Sequence, residues 1–192
     1  MKKSQILNRI FLLFFSAMTA YGLNAQNAYE TLLDFKEKTI RLCLYEDFDP
    51  EIQIITVWDK NIINLVPDPL NPDNTVMKWV KCNKNQTYGG FAFGIRDVHI
   101  GLSLEGWKYF TYKIYAPFPV NTSILKFVKD GDIMIYHDTI SIEAEPHQWY
   151  KAAHAIDESL YQEDNPIVII IHPAGGEEVE GIILIDDIRL ER

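Results

Sequence analysis

The chain has 192 residues, a formal net charge of −9 and a hydrophobic fraction of 47%. This length fits one domain that can bury a substantial core. Because no stretch beyond the N-terminus is rich in lysine and arginine, the acidic balance makes nucleic acid and anionic membranes poor partner candidates.

The first 25 residues have the pattern of a secretory signal peptide. Cationic residues precede the apolar run Ile10 to Ala20, and small residues follow up to Ala25. This apolar run is shorter than the roughly 20 residues that a membrane span requires. We therefore predict cleavage after Ala25 and export to the periplasm or the cell exterior. The mature chain is predicted to be one domain over residues 26–192, without a transmembrane segment.

From residue 39 onward, short apolar runs alternate with polar residues and are separated by turn formers. The prolines of residues 67–74 predict a loop, and Asp130-Gly131 predicts a hairpin turn. Residues 28–38 fit a strand or a short helix equally well. The predicted strands span residues 39–48, 52–57, 62–66, 75–82, 88–95, 106–117, 123–128, 133–136, 147–156, 167–171 and 181–190.

Many short strands without a long amphipathic helix predict an all-β fold, a two-sheet antiparallel β-sandwich. Strands 75–82 and 88–95 are separated by a gap of hairpin length. The Gly89-Gly90 pair inside the second of them predicts a bulge or a close approach of two backbones.

The strand over residues 106–117 has two distinct faces. Phe110, Tyr112 and Ile114 are predicted to face the core. The opposite face is aromatic but carries polar residues, which is typical of a half-exposed sheet surface. That face carries Trp107, Tyr109, Thr111, Lys113 and Tyr115.

The closing strand, residues 181–190, has apolar residues in both alternation phases, which predicts a strand covered on both sides. Asp186 shares its phase with Leu184 and Ile188, which we assign to the core. A carboxylate there needs a hydrogen-bond donor, a cation or the sheet edge, because an unpaired buried charge costs several kcal/mol.

Signals for catalysis and for metal binding are sparse. No sequence motif of a hydrolase, zinc protease or nucleotide-binding protein occurs. Glu143 and Glu145, two residues apart, are the weak candidates for acid–base work, although a solvated strand end is the preferred interpretation. Cys43 and Cys82 lie in apolar stretches, so buried thiols and a disulfide both remain open.

The order of several short motifs resembles the jelly-roll, galactose-binding-like carbohydrate-binding modules of secreted glycan-handling proteins of Bacteroidetes. The similarity covers roughly residues 44 to 190 and rests on order and spacing. The motifs are Tyr45-Glu-Asp-Phe-Asp49, with Leu32-Leu-Asp-Phe-Lys36 as a rival, Asn71-Pro-Asp-Asn-Thr-Val-Met-Lys-Trp79, Tyr88-Gly-Gly-Phe91, Tyr112-Lys-Ile-Tyr-Ala-Pro117, Gln148-Trp-Tyr150 and the terminal Ile-Asp-Asp-Ile.

This resemblance implies a two-sheet jelly roll, with Trp107 and Trp149 packed in its core. It also implies a structural Ca²⁺ between an acid of the first strand, Asp49, and Asp186 or Asp187 of the last strand. Calcium prefers such carboxylate and carbonyl oxygens.

The resemblance predicts an exported, non-catalytic protein that binds a polysaccharide or an oligosaccharide. Aromatic faces stack on sugar rings and polar side chains fix hydroxyl groups. The alternatives are a structural or adhesin-like sandwich that contacts proteins and, less favoured, a small glycoside hydrolase or lyase. The ligand-binding candidates are Tyr109, Lys113, Tyr115, Trp58 and Tyr88.

Overall fold

The computed structural model describes residues 29–33, 41–42, 54–57, 62–82, 84–85, 87–94, 102–129, 133–162 and 166–192. The predicted signal peptide, Cys43, Asp49 and Trp58 lie outside these ranges. Within them, no helix combines the length and the apolar character that crossing a membrane would require.

The described residues form twelve strands and one short 3-10 helix, Glu158–Gln162. Within the ambiguous segment 28–38, the described residues Tyr29–Leu33 are a strand. The strands are β1 (Tyr29–Leu33), β2 (Arg41–Leu42), β3 (Ile54–Val57), β4 (Ile62–Pro67), β5 (Thr75–Lys81), β6 (Phe91–Gly94), β7 (Tyr109–Tyr115), β8 (Val120–Lys129), β9 (Ile133–Ala144), β10 (Tyr150–Ala155), β11 (Val168–Pro173) and β12 (Gly181–Glu191).

The strands make two sheets that pack face to face. The first sheet has the order β10-β7-β12-β5-β4, with β1 paired to the C-terminal half of β12. The second has the order β2-β3-β6-β11-β8-β9. The β2–β3 pair is parallel and the other described pairs are antiparallel. The predicted β-sandwich is therefore confirmed.

Two pairs of consecutive strands, β8–β9 and β5–β6, differ in whether their members pair with each other. β8 and β9 form the predicted antiparallel hairpin, and β9 continues eight residues beyond the predicted end at Tyr136. The gap of hairpin length between β5 and β6 does not form a hairpin. β5 lies in the first sheet and β6 in the second, so residues 82–90 cross between the sheets. A short gap fixes only the distance between two strands, and both a hairpin and a sheet crossing meet that constraint.

The core lies between the two sheets and is rich in aromatic residues. Phe110, Tyr112 and Ile114 are fully buried, as predicted. The Phe110 ring meets the Phe127 ring of the facing sheet edge-on, with centroids 5.9 Å apart. Such edge-to-face pairs add stabilisation beyond the burial of apolar area.

The closing strand corrects the predicted phase of Asp186. Between Asp186 and Arg189, β12 has one residue more than its partner β7, and Asp187 adopts a positive φ of 50°. This bulge reverses the alternation, so Ile185 before it and Ile188 after it both face the core. Asp186 therefore lies on the outer face, opposite Lys113 of β7.

Gly90 confirms the predicted close approach of two backbones. A Cβ atom at this position would lie 2.5 Å from the carbonyl oxygen of Ile171 and 2.5 Å from His172 Nδ1. Only glycine allows β6 to begin this close to β11. Cys82 is exposed, so the expectation of a buried thiol is wrong at that position.

Candidate functional site

A polar groove of about 470 Å³ opens on the outer face of the first sheet. We call it the outer groove. Its floor comes from β7 and β12, one wall from the loop between β4 and β5, and the other from the turn before β10. The lining residues are Asp68, Asn71, Asp73, Asn74, Lys113, Trp149, Asp186, Asp187 and Arg189.

The floor is organised by the β12 bulge. Asp187 Oδ2 lies 2.7 Å from Lys113 Nζ, and its Oδ1 accepts a hydrogen bond of 2.6 Å from Arg189 Nη2. Because the bulge adds one residue, consecutive aspartates both reach the groove instead of pointing to opposite sides of the sheet. Asp187 is thus held by two cations.

The loop wall is closed by its own hydrogen bonds. The Asp68 N–H donates to the Asn74 carbonyl at 2.9 Å, and the Asn74 N–H donates to the Asn71 carbonyl at 2.9 Å. Asp68 Oδ1 also accepts the Leu70 N–H at 2.8 Å, an Asx-turn arrangement. The loop therefore presents its side chains from a fixed backbone.

Trp149 forms the second wall and corrects the expectation that it belongs to the core. Its ring is half-buried and lies 5.5 Å from the Tyr115 ring. Its Nε1–H donates to Asp68 Oδ1 at 3.1 Å, which ties the indole to the opposite wall. The preceding turn is fixed because the His147 N–H donates to the Ala116 carbonyl. Trp107, in contrast, is buried as expected.

Asp186 is, with Asp68, one of two buried carboxyl groups of the groove, and 8% of its surface is exposed. Burial raises the pKa of its carboxyl, and the neighbouring Asp187 raises it further, while a hydrogen bond of 3.0 Å from Asn74 Nδ2 lowers it. The other amide atom, Asn74 Oδ1, is buried without a hydrogen-bond partner. An orphaned acceptor beside a buried carboxylate favours a ligand that donates hydrogen bonds.

The ligand-binding candidates from the sequence lie in different places. Lys113 lines the outer groove, and Tyr115 supports Trp149. Tyr109 is exposed on the same sheet face, four residues along β7, which is ~13 Å from Lys113 at the strand rise. Tyr88 is exposed in the segment before β6 and does not line the groove. Sequence reasoning missed Asp68, Asn74 and Arg189.

The weak catalytic candidates lie away from the groove. Glu143 is at the end of β9 in the second sheet, Glu145 follows that strand, and both are exposed. Neither residue lines the groove.

The described residues do not by themselves make the predicted calcium site. Asp187 is already paired with two cations, and Asp186 supplies one carboxylate. No group of three or more His, Cys, Asp or Glu side chains suited to a metal occurs in the described part of the chain. The calcium site, which includes Asp49, stays a prediction. It requires that EDTA lower the melting temperature of the wild type and leave Asp186→Asn unchanged. An EDTA-insensitive wild type would contradict it.

A second polar cluster lies inside the sandwich, where the edge strands β9 and β10 meet. The Ser123 Oγ is 2.5 Å from Tyr112 Oη and 2.7 Å from His154 Nε2, and His154 Nδ1 is 2.9 Å from Asp138 Oδ2. We call these four side chains the buried relay. Its order of serine, histidine and aspartate resembles a nucleophilic triad. Ser123 and His154 are fully buried, however, so no substrate reaches the hydroxyl and the relay is structural.

No protein-family model and no curated protein matches this sequence. Solved structures do match it. The xylan-binding domain CBM22-1 of Paenibacillus barcinonensis Xyn10C aligns over 87% of this chain and 97% of its own, with a TM-score of 0.57 and 9% identity. The CBM27-1 of Caldicellulosiruptor saccharolyticus, solved with mannohexaose, covers 85% of this chain and 96% of its own, with a TM-score of 0.52 and 16% identity.

A third match has the same character. The family 11 carbohydrate-binding module of the Clostridium thermocellum cellulase Lic26A-Cel5E aligns over 85% of this chain and 94% of its own, with a TM-score of 0.52 and 12% identity. Identities this low show the fold alone. The chain therefore has the jelly-roll β-sandwich fold found in carbohydrate-binding modules, as the resemblance implied.

Proposed function

We propose that this chain is an exported, non-catalytic protein that binds a polysaccharide or an oligosaccharide in the outer groove. The observation that carries the proposal is the combination of a half-buried indole with fixed amide and carboxylate groups in one open groove. An aromatic ring contacts the apolar face of a sugar, while oriented acceptors and donors fix its hydroxyl groups. Three neighbours of the same fold are named as carbohydrate-binding domains, which supports this class of ligand.

The first test is retention of the mature chain, residues 26–192, in affinity gels that contain soluble xylan or mannan. The two polymers follow from the xylan-binding domain and the mannohexaose complex among the neighbours. Calorimetry with xylohexaose and mannohexaose then gives a dissociation constant. A folded sample that binds no glycan would contradict the proposal.

Trp149→Ala is expected to weaken glycan binding at least tenfold, because it removes the one aromatic ring that lines the groove among the described residues. Isothermal titration measures the effect, and circular dichroism verifies that the variant is folded. Tyr88→Ala is the matched control, since it also removes an aromatic ring but lies outside the groove and is 61% exposed. Equal losses in both variants, or no loss in Trp149→Ala, would place the ligand elsewhere.

Tyr109 tests how far the ligand extends. If a bound glycan continues along β7, Tyr109→Ala weakens binding to hexasaccharides more than to disaccharides and leaves the melting temperature nearly unchanged, because the ring is 44% exposed.

Protein contact is the second candidate function. Ile133 and Met134, adjacent at the start of β9, are each more than half exposed. Exposed aliphatic side chains favour protein partners when they form a broad patch. Two side chains are a small patch, so the groove carries the stronger proposal.

A further inference from the structure

The outer groove is lined by more carboxylates than cations. Four carboxylates line it, from Asp68, Asp73, Asp186 and Asp187, and two cations, Lys113 and Arg189. Both cations contact the same carboxylate, that of Asp187, at 2.7 and 2.6 Å. The charges of the other three aspartates are therefore not matched by a cation at comparable distance among the groove residues.

These three aspartates differ in what they offer a ligand. Asp68 is buried and its Oδ1 already accepts hydrogen bonds from the Trp149 indole and the Leu70 amide. Asp186 is buried and accepts hydrogen bonds from the Asn74 side chain and from the Asp187 backbone amide, and Asp73 is exposed at the rim. Carboxylates accept hydrogen bonds and cannot donate them at neutral pH, so they suit hydroxyl groups and repel anions.

An acidic sugar could use this groove only by displacing Asp187 from Lys113 or Arg189. That exchange would break an existing short ion pair and leave the Asp187 carboxylate beside the buried Asp186. Two neighbouring like charges in a partly desolvated site repel each other strongly. The net charge of −9 adds a longer-range repulsion of polyanions that salt can screen.

We propose that the outer groove binds neutral glycans and excludes glycans that carry carboxylate or sulfate groups, with Asp186 and Asp73 as the excluding residues. This inference rests on the proposed function, since it names the ligand class of the same groove. The carboxylates do not repel a neutral sugar, because each of its hydroxyl groups can donate a hydrogen bond to a carboxylate oxygen. The selectivity is thus set by repulsion of the wrong ligand as much as by attraction of the right one.

The test compares three forms of whichever neutral polymer, xylan or mannan, is retained in the affinity gels. The forms are the unmodified polymer, its hydroxyethyl derivative and its carboxymethyl derivative at equal degrees of substitution. The two derivatives have similar bulk and differ in charge. At 20 mM NaCl we expect the carboxymethyl form to bind at least tenfold more weakly than the hydroxyethyl form, and 0.5 M NaCl to reduce that ratio.

Variants assign the effect to the groove. Asp73→Asn/Asp186→Asn is expected to reduce the ratio at least threefold at low salt. Glu143→Gln/Glu145→Gln removes the same number of charges from exposed positions that do not line the groove, and it is expected to leave the ratio unchanged. Asp73→Asn alone provides the measurement if the double variant does not fold, because Asp73 is exposed.

The outcomes separate the two proposals. Equal or tighter binding of the carboxymethyl form by the wild type overturns the charge selectivity and leaves glycan binding intact. An equal response of the two double variants assigns the effect to net charge and also overturns the role of the groove. A folded protein that binds none of the three polymers overturns the proposed function, and the selectivity with it.

Discussion

His154→Ala is expected to lower the free energy of unfolding by about 3–5 kcal/mol, because it leaves a cavity in place of a buried ring and takes the hydrogen-bond partner from the buried Ser123 hydroxyl. His154 is fully buried, and burial lowers the pKa of its imidazole despite the opposing effect of Asp138. It is therefore neutral at pH 7.5 and carries one proton. Chemical denaturation at that pH measures the loss.

The direction of each hydrogen bond in the relay follows from its end groups. The Asp138 carboxylate only accepts, so His154 Nδ1 carries the proton and Nε2 accepts the Ser123 hydroxyl. Ser123 Oγ then accepts the Tyr112 hydroxyl, whose pKa is raised by burial. The loss of His154 therefore removes a hydrogen-bond partner from two side chains, Ser123 and Asp138.

His137→Ala is the control for this prediction. His137 lies on the same edge of the second sheet as Asp138 but is exposed, so its removal should change stability by less than ~0.5 kcal/mol. A cycle of Ser123→Ala, His154→Ala and the double variant should show coupling, because the two side chains share a hydrogen bond. Additive losses, or a loss below 1 kcal/mol in His154→Ala, would show that the relay is not cooperative.

Much of the fold could be predicted because local pattern and tertiary structure agree. The period of two in residues 109–115 places Phe110, Tyr112 and Ile114 in the core, and the prolines of residues 67–74 place a loop. The crossing from β5 to β6 could not be predicted, since strand pairing is decided by distant partners and not by the connecting segment.

The bulge in β12 could not be predicted from the hydrophobic pattern. Both phases of residues 182–190 are apolar, so a reversal of the alternation at Asp187 leaves no mark in the hydrophobic pattern. The available signal was the pair Asp186-Asp187 itself, because two consecutive carboxylates in a strand would otherwise place one of them in the core.

The outer groove combines segments that are far apart in the sequence. Lys113 could be found from the outer phase of one strand, but Asp68 and Trp149 face each other across 80 residues of chain. The buried relay also joins residues that are far apart in the sequence, but the sequence contains a pattern that indicates it. Ser123 and His154 are polar residues in otherwise apolar phases, alternating with Leu125 and with Ala152 and Ile156. Such interruptions indicate a buried hydrogen bond.

Stability is expected to fall as the pH drops below 6.5, with His172 contributing a loss of about 3 kcal/mol by pH 4. His172 lies under Gly90 and is 3% exposed. Burial and, to a smaller extent, the charge of nearby Lys126 lower its pKa to about 4. In the unfolded chain the imidazole binds a proton near pH 6.5. The unfolded state thus binds more protons between pH 6.5 and 4, and acid favours it.

His154 contributes in the same direction, since burial lowers its pKa as well. Asp186 contributes in the opposite direction. Its pKa is raised in the folded protein, so the folded state takes up that proton more readily than the unfolded chain does. Two buried histidines therefore act against one buried carboxyl, and we expect the histidines to determine the sign at pH 5.

The decisive measurement is the difference in unfolding free energy between wild type and His172→Gln across pH 7.5 to 4. Glutamine does not titrate, so the difference isolates His172 from the other groups and should change by about 3 kcal/mol in favour of the variant as the pH falls. His147→Asn is the control, because His147 is exposed and asparagine tolerates its positive φ of 61°. A pH-independent difference for His172→Gln would mean that the imidazole is protonated equally readily in the folded and unfolded chains.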